Sequence, residues 1–280
     1  MLTGSCLCGD VAFEVHGEIS RMVHCHCSMC RKLHGSAFAT FGMVEGGAVR
    51  WRKGADKVVR YQSSEEGGRS FCSRCGSAVP SPTSGGPVSY VPLGNLAEDP
   101  GDVEGLHFFA GSKAPWHTIV DDQEQFEDWA PGWDGPNIES EARAPETAGA
   151  TGGSCQCGAV RYEYDDAERM VNCHCSRCRR QMGAGYATFV FVGSDSFRWL
   201  AGEEQVVNFK LPEARVKGTA FCRTCGSLVP REREPGSMQV PAGSLDTDPH
   251  MRPAANIFTG SKAAWTTLDT SIPCFEEYPT

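Results

Sequence analysis

The sequence predicts a mainly-β protein made of two tandem zinc domains with short helical turns. Three observations carry that prediction: one unit is written twice, its apolar residues alternate at strand period, and its cysteines recur at metal-ligand spacings. GSCLCGDVAFEV (4–15) returns as GSCQCGAVRYEY (153–164), and MVHCHCSMCRKLHGSAFATF (22–41) as MVNCHCSRCRRQMGAGYATF (170–189). FCSRCGSAVP (71–80) returns as FCRTCGSLVP (221–230), and the tails 111–130 and 260–279 align without a gap. A unit of about 130 residues is domain-sized, not a solenoid repeat. The domains are therefore expected at 1–130 and 152–280. Between them 131–151, rich in Pro, Gly, Ala and Glu, reads as an acidic, solvated tether.

Within each unit, VAFEV and VRYEY alternate as half-buried strands. AFATFGMV and GYATFVFV are β-rich runs, and DKVVRYQ and EQVVNFK match in position and pattern. Glycines and prolines punctuate these runs closely, which predicts antiparallel sheets. Only the segment around MCRKLHG has a helical look, so one helical turn is expected after each CxCxxC.

Composition narrows the function classes. Hydrophobic residues at 40%, charged residues at 22% and a mean hydropathy of −0.33 describe a globular chain and exclude wholesale disorder. No window approaches the ~20 apolar residues of a membrane span. The start, MLTGSCLCGD, has neither a basic nor an apolar signal region, so a cytoplasmic setting is expected. A net charge of −9 and a pI near 5.4 argue against general nucleic-acid affinity.

Fifteen cysteines are the compositional outlier, and without a secretion signal they favour metal-bound thiolates over disulfides. The CxxC pairs Cys72/Cys75 and Cys222/Cys225, each followed by glycine, suit the half-site of a four-thiolate structural zinc. A CxC in extended chain puts both sulfurs on one face, so Cys6/Cys8 can complete the first site and Cys155/Cys157 the second; spacing alone leaves other pairings open. Cys25, Cys27 and Cys30, and likewise Cys173, Cys175 and Cys178, then remain. Three protein ligands with a fourth position for water or substrate describe a zinc that performs chemistry. The alternatives are closure by His26, His174 or His24, or plain reduced core cysteines. Up to two zincs per domain follow. Cys274 aligns with Gln125 and stands outside the pattern.

A thiol entering such a site is deprotonated at neutral pH, where free cysteine is mostly protonated. The thiolate can add to an aldehyde carbon, and the reverse reaction cleaves a carbon–sulfur bond. Three thiolates already donate charge, so hydroxide generation is the weaker use. Lys113 and Lys262, each placed before a tryptophan, are candidates to pair a substrate carboxylate, and Arg31 and Arg179, each directly after a zinc-type cysteine, are candidates either to hold an anionic substrate or to screen the thiolate charge. For the lysines the competing reading is surface exposure. His107 and His117 face Asn256 and Thr266, so any role they have belongs to the first copy.

The order CxC, CHCxxCR, FCxxCGS, SKAxW and FED/FEE resembles the glutathione-dependent formaldehyde-activating enzyme and centromere protein V family, twice, over nearly the whole chain. The resemblance implies a β-tent fold, a structural zinc on the CxC and CxxC cysteines, and a catalytic zinc on the CxCxxC cysteines. It also implies a carbon–sulfur lyase that condenses glutathione with formaldehyde, as an S-(hydroxymethyl)glutathione synthase does. The expected partners are a small thiol such as glutathione and a small aldehyde. The competing class is a non-catalytic zinc-stabilised scaffold that binds protein. Two like domains are also expected to pack as an intrachain pseudo-dimer, by analogy with symmetric dimers.

Overall fold

The computed structural model describes residues 1–280 apart from 66, 82–87, 134–140, 215–217 and 280, and in it the written repeat becomes a repeat of strands. Leu2–Ser5 and Ala12–Val15 form an antiparallel hairpin joined by Val49–Lys53; Thr151–Ser154, Arg161–Tyr164 and Phe197–Ala201 repeat it. Along Ala12–Val15, Phe13 and Val15 are buried and the residues between them half-buried, the expected period of two. A larger sheet runs Glu124–Gln125, Gly105–Phe108, Arg21–Cys25, Ala39–Glu45, Val88–Pro92. Its counterpart is built on Arg169–Cys173 and Ala187–Gly193 and ends at Arg231–Glu234. The hairpins Val58–Gln62/Gly68–Cys72 and Val206–Lys210/Gly218–Cys222 deliver the CxxC knuckles. The mainly-β, tandem expectation holds.

Two features depart from expectation. Gly105–Phe108 pairs parallel with Arg21–Cys25, placing Phe108 opposite Cys25, and Asn256–Ile257 pairs parallel with Arg169–Cys173. Parallel partners need a long connection instead of a hairpin, and no local pattern announces one. The helices α1 (Ser28–His34) and α2 (Ser176–Met182) have seven residues each, about two turns, where one was expected. The Cys27 sulfur caps α1 by accepting from the Cys30 N–H, and Gly35, at φ 61°, ends it by donating its N–H to the Arg31 carbonyl at 2.7 Å. Cys175 and Gly183 do the same for α2.

The halves pack through reciprocal contacts. Helix α1 lies on Ala242–Ser244 of the second half, and α2 on Leu93–Asn95 of the first. The approach is close enough to require glycine on both sides. A Cβ on Gly94 would fall 2.4 Å from the Arg179 carbonyl oxygen, and one on Gly243 would fall 2.3 Å from that of Arg31. Phe38 and Trp116 of the first half share a core with Tyr162, Tyr186 and Val190 of the second.

Of the stretch 131–151, residues 134–140 lie outside the described residues, but 141–150 are not a free tether. The backbone N–H groups of Glu146 and Thr147 donate to Glu163 at 2.8 and 3.0 Å, and the Thr147 hydroxyl donates at 2.5 Å. Arg198 adds a bond at 3.0 Å. Burial would raise this carboxyl, but the donors outweigh it and hold the pKa at about 2, below the usual 4.5. The folded value lies below the unfolded one. The carboxylate therefore contributes stability that is complete above about pH 4.5 and is lost as the pH falls toward about 2. Denaturant midpoints measured at pH 7, 4 and 3 should show Glu163→Gln less stable at pH 7, with a shallower acid decline than the parent. Parallel acid profiles would remove Glu163 from this role.

Candidate metal centres

Each CxC turn meets the CxxC knuckle that arrives on a distant hairpin. The Cys6, Cys8, Cys72 and Cys75 sulfurs all lie within 4.8 Å of one another, and so do those of Cys155, Cys157, Cys222 and Cys225. Cys6 and Cys8 approach to 3.4 Å, and Cys8 and Cys72 to 3.8 Å. The surrounding backbone is built for thiolates: the Val11 N–H points at Cys6 Sγ at 3.3 Å, and the Ser77 hydroxyl lies 3.3 Å from Cys75 Sγ while accepting from the Leu7 N–H. Four sulfurs this close cannot share out their protons evenly. Hydrogen bonds from Cys72, Cys75 and Cys8 push Cys6 far up, while those from Cys6, Cys72 and Cys8 pull Cys75 far down. All four can ionise together only around a cation, so this donor set fits a tetrahedral zinc.

The second kind of centre forms where a strand hands over to a helix. Cys25 ends the strand Arg21–Cys25, Cys27 caps α1, and Cys30 sits in its first turn, so the three sulfurs gather within 4.8 Å. Cys173, Cys175 and Cys178 repeat this at α2. Among the described residues no fourth cysteine, histidine or carboxylate joins either group. His26 faces away, as a residue between two same-facing cysteines should, with its Nε2 2.8 Å from His107 Nδ1. His174 turns to Asn256 Oδ1 at 3.2 Å, and His24 to the Thr40 hydroxyl at 3.1 Å. Sulfur proximity acts as before: hydrogen bonds to Cys27 and Cys30 raise Cys25, and those from Cys25 and Cys27 lower Cys30. Three thiolates here also fit a zinc ion.

The remaining site candidates have other partners. Lys113 donates to the His117 carbonyl at 3.2 Å, and Lys262 to those of Thr266 and Ala263 at 2.8 and 3.0 Å. Both lysines hold their own turns, and neither lines the cavity beside a cysteine triple. Arg31 and Arg179 donate backwards, to the His26 and His174 carbonyls, and Arg179 also to Ser261. Cys274 is exposed and belongs to no sulfur group.

Sequence reasoning missed two features. The first is a buried histidine stack peculiar to the first half. His24 and His107 lie 4.7 Å apart and His26 and His117 5.6 Å apart, with Asp121 2.9 Å from His107. Burial drives His24 and His117 down to about 3, so both are neutral at physiological pH. In the second half Asn172 and Asn256 replace the stack by bonding directly at 3.2 Å. The second feature is the arginines beside the triples. Arg69 lies 3.8 Å from Cys30 Sγ and also donates to Ser63. Arg231 and Arg233 line the cavity at Cys173 and Cys178. They were legible only as differences between the copies, where Arg69 faces Thr219 and Arg231 and Arg233 face Ser81 and Thr83.

Comparison with known proteins gives one family. The family model described as glutathione-dependent formaldehyde-activating enzyme matches residues 1–112 and again 150–261. A protein of Halomonas elongata provisionally named a glutathione-dependent formaldehyde-activating enzyme is 34% identical over 85 residues, 28% of this chain. The chain spans about half, 54%, of that relative's length. A crystal structure of a Rhodobacter sphaeroides protein aligns at 26% identity with a TM-score of 0.29, over 36% of this chain and 97% of that one.

Proposed function

The chain belongs to the glutathione-dependent formaldehyde-activating enzyme family across both halves, and on that premise we propose that it is a zinc-dependent carbon–sulfur lyase. It would join a small thiol such as glutathione to formaldehyde or a related aldehyde, and run the reverse. The observation that carries this reading is the pair of three-sulfur groups, Cys25/Cys27/Cys30 and Cys173/Cys175/Cys178, which no fourth ligand joins among the described residues and which open on cavities of about 200 and 620 Å³.

A zinc ion held by those cysteines would supply the positive charge that keeps an incoming thiol ionised at neutral pH. The thiolate sulfur then forms a bond to the aldehyde carbon, the carbonyl π pair moves to oxygen, and that oxygen takes up a proton in place of the one the thiol released. Arg69, donating to Cys30, offsets charge on the sulfurs. Phe41, Phe108, Phe109 and Trp129 line the cavity, and by excluding water they strengthen every charge interaction inside it. Thiolate ligands persist only where disulfides do not form, which favours a reducing, cytoplasmic setting.

Formaldehyde loss should be thiol-dependent and faster with protein than without, a control made necessary by the rapid spontaneous addition. Replacing Cys30 and Cys178 together by serine is expected to cut the catalysed rate on the order of 100-fold or more, because changes even outside the ligand shell of a metal cost 10–100-fold. An unchanged rate in that variant, or no acceleration by the parent with any small thiol, would sink the proposal.

A further inference from the structure

We propose that the two halves do not share a substrate. The second-half cavity takes the thiol that carries carboxylates, held by Arg231 and Arg233, and the first-half cavity takes only a small uncharged thiol. This rests on the thiol-dependent reading above and assigns its substrate class half by half.

The two cavities differ in size and in where their cations stand. Beside Cys25 and Cys30 the space is about 200 Å³, below the ~300–1,000 Å³ usual for sites that enclose a ligand of drug size. Beside Cys173, Cys175 and Cys178 it is about 620 Å³, within that range. The first-half arginine, Arg69, is committed to the cluster through Cys30 and Ser63. Thr219 takes its place in the second half and turns its hydroxyl across to the Cys75 carbonyl at 2.8 Å.

The second half carries its cations on another strand. Arg231 and Arg233 stand two apart on Arg231–Glu234, both half-buried, so they share one strand face; Arg177 of α2 and the exposed Glu234 line the same cavity, which leaves three arginines to one carboxylate there. Two guanidiniums at one cavity wall repel each other and favour an anionic ligand, and each presents the planar fork that grips a carboxylate at two points. Arg231 donates to the Glu232 carbonyl at 3.1 Å, and Arg233 meets the exposed Glu234 at 3.3 Å and the Tyr278 hydroxyl at 3.5 Å. Arg233 also lies 5.4 Å over the Phe191 ring, which fixes the guanidinium plane. A tripeptide thiol with two carboxylates and a central sulfur matches a wall that sets two arginines beside three cysteines.

Calorimetry on the zinc-loaded full chain with S-methylglutathione, which keeps both carboxylates and lacks a free thiol, tests this apart from turnover. One molecule should bind per chain, and R231S/R233T, which installs the first-half residues, should bind at least tenfold more weakly. In turnover, the ratio of kcat/KM for glutathione to that for 2-mercaptoethanol should fall at least tenfold in the same variant. Two equal sites per chain, or parental affinity in a folded R231S/R233T, would overturn the inference. Should that variant misfold, R231K/R233K, which keeps charge and loses the fork, must bind more weakly than the parent, and the parental stoichiometry decides independently. If S-methylglutathione binds one to one while neither thiol accelerates formaldehyde loss, the assignment of the anionic ligand stands and the lyase reading falls. If 2-mercaptoethanol accelerates the reaction but S-methylglutathione does not bind, the reverse holds.

Discussion

Cys72→Ser is expected to unfold the first half of the chain, and Cys222→Ser the second, with chelation producing both effects at once. A structural zinc contributes roughly 10–16 kcal/mol to the folding of a small domain, about as much as or more than the ~5–15 kcal/mol of net stability such a domain has. Cys72 is fully buried at the end of its hairpin and draws together two segments more than sixty residues apart. Its neighbour Phe71 stacks edge-on against Phe221 of the other half at 6.0 Å, so the loss should reach across the interface. Far-ultraviolet circular dichroism and metal analysis should show a lost transition and a zinc deficit in each variant. A Cys72→Ser protein that keeps its zinc and melts within a few degrees of the parent would remove the structural role.

The division of the cysteines into fours and threes could be read from the sequence because ligand spacing is local. A CxC in extended chain, a CxxC before glycine and a CxCxxC at a strand-to-helix junction each aim their sulfurs by backbone geometry alone. The strands were legible for the same reason, as Phe13 and Val15 show. What escaped depends on which distant segments meet. The parallel pairing that sets Phe108 beside Cys25 spans some eighty residues of chain. The histidine stack sets His24 on the strand Arg21–Cys25 and His26 just past its end against His107 of the parallel neighbouring strand and His117 of the chain that follows it. The arginines of the two cavities were hidden for a subtler reason. Matching the copies selects residues that agree, whereas Arg69, Arg231 and Arg233 stand where the copies disagree.

Lys32→Met is expected to cost about 3–5 kcal/mol, the penalty for leaving one member of a buried ion pair without its partner. From sequence Lys32 is one more basic residue of a short helix, aligned with Arg180. In the structure its ammonium crosses to the second half and donates to Asp246 at 2.6 Å and to the Ser154 hydroxyl at 2.7 Å, and the side chains of the ion pair are each only 2% exposed. Burial lowers the lysine's pKa and Asp246 opposes that shift, so much of the pair's attraction is consumed by desolvation. Removing both charges should therefore do less harm than removing one. Urea unfolding should rank Lys32→Met well below the parent and Lys32→Met/Asp246→Leu between them; a single variant within 1 kcal/mol of the parent would show that the pair does not hold the interface. The damage should also reach the metal centres. Lys32 lies two residues beyond Cys30 on α1, and its carbonyl accepts from the Leu228 N–H at 3.1 Å, three residues past Cys225 of the other half's knuckle. Loosening this contact frees the helix that carries one zinc ligand and the loop that follows another, so Lys32→Met should lose zinc to a chelator faster than the parent.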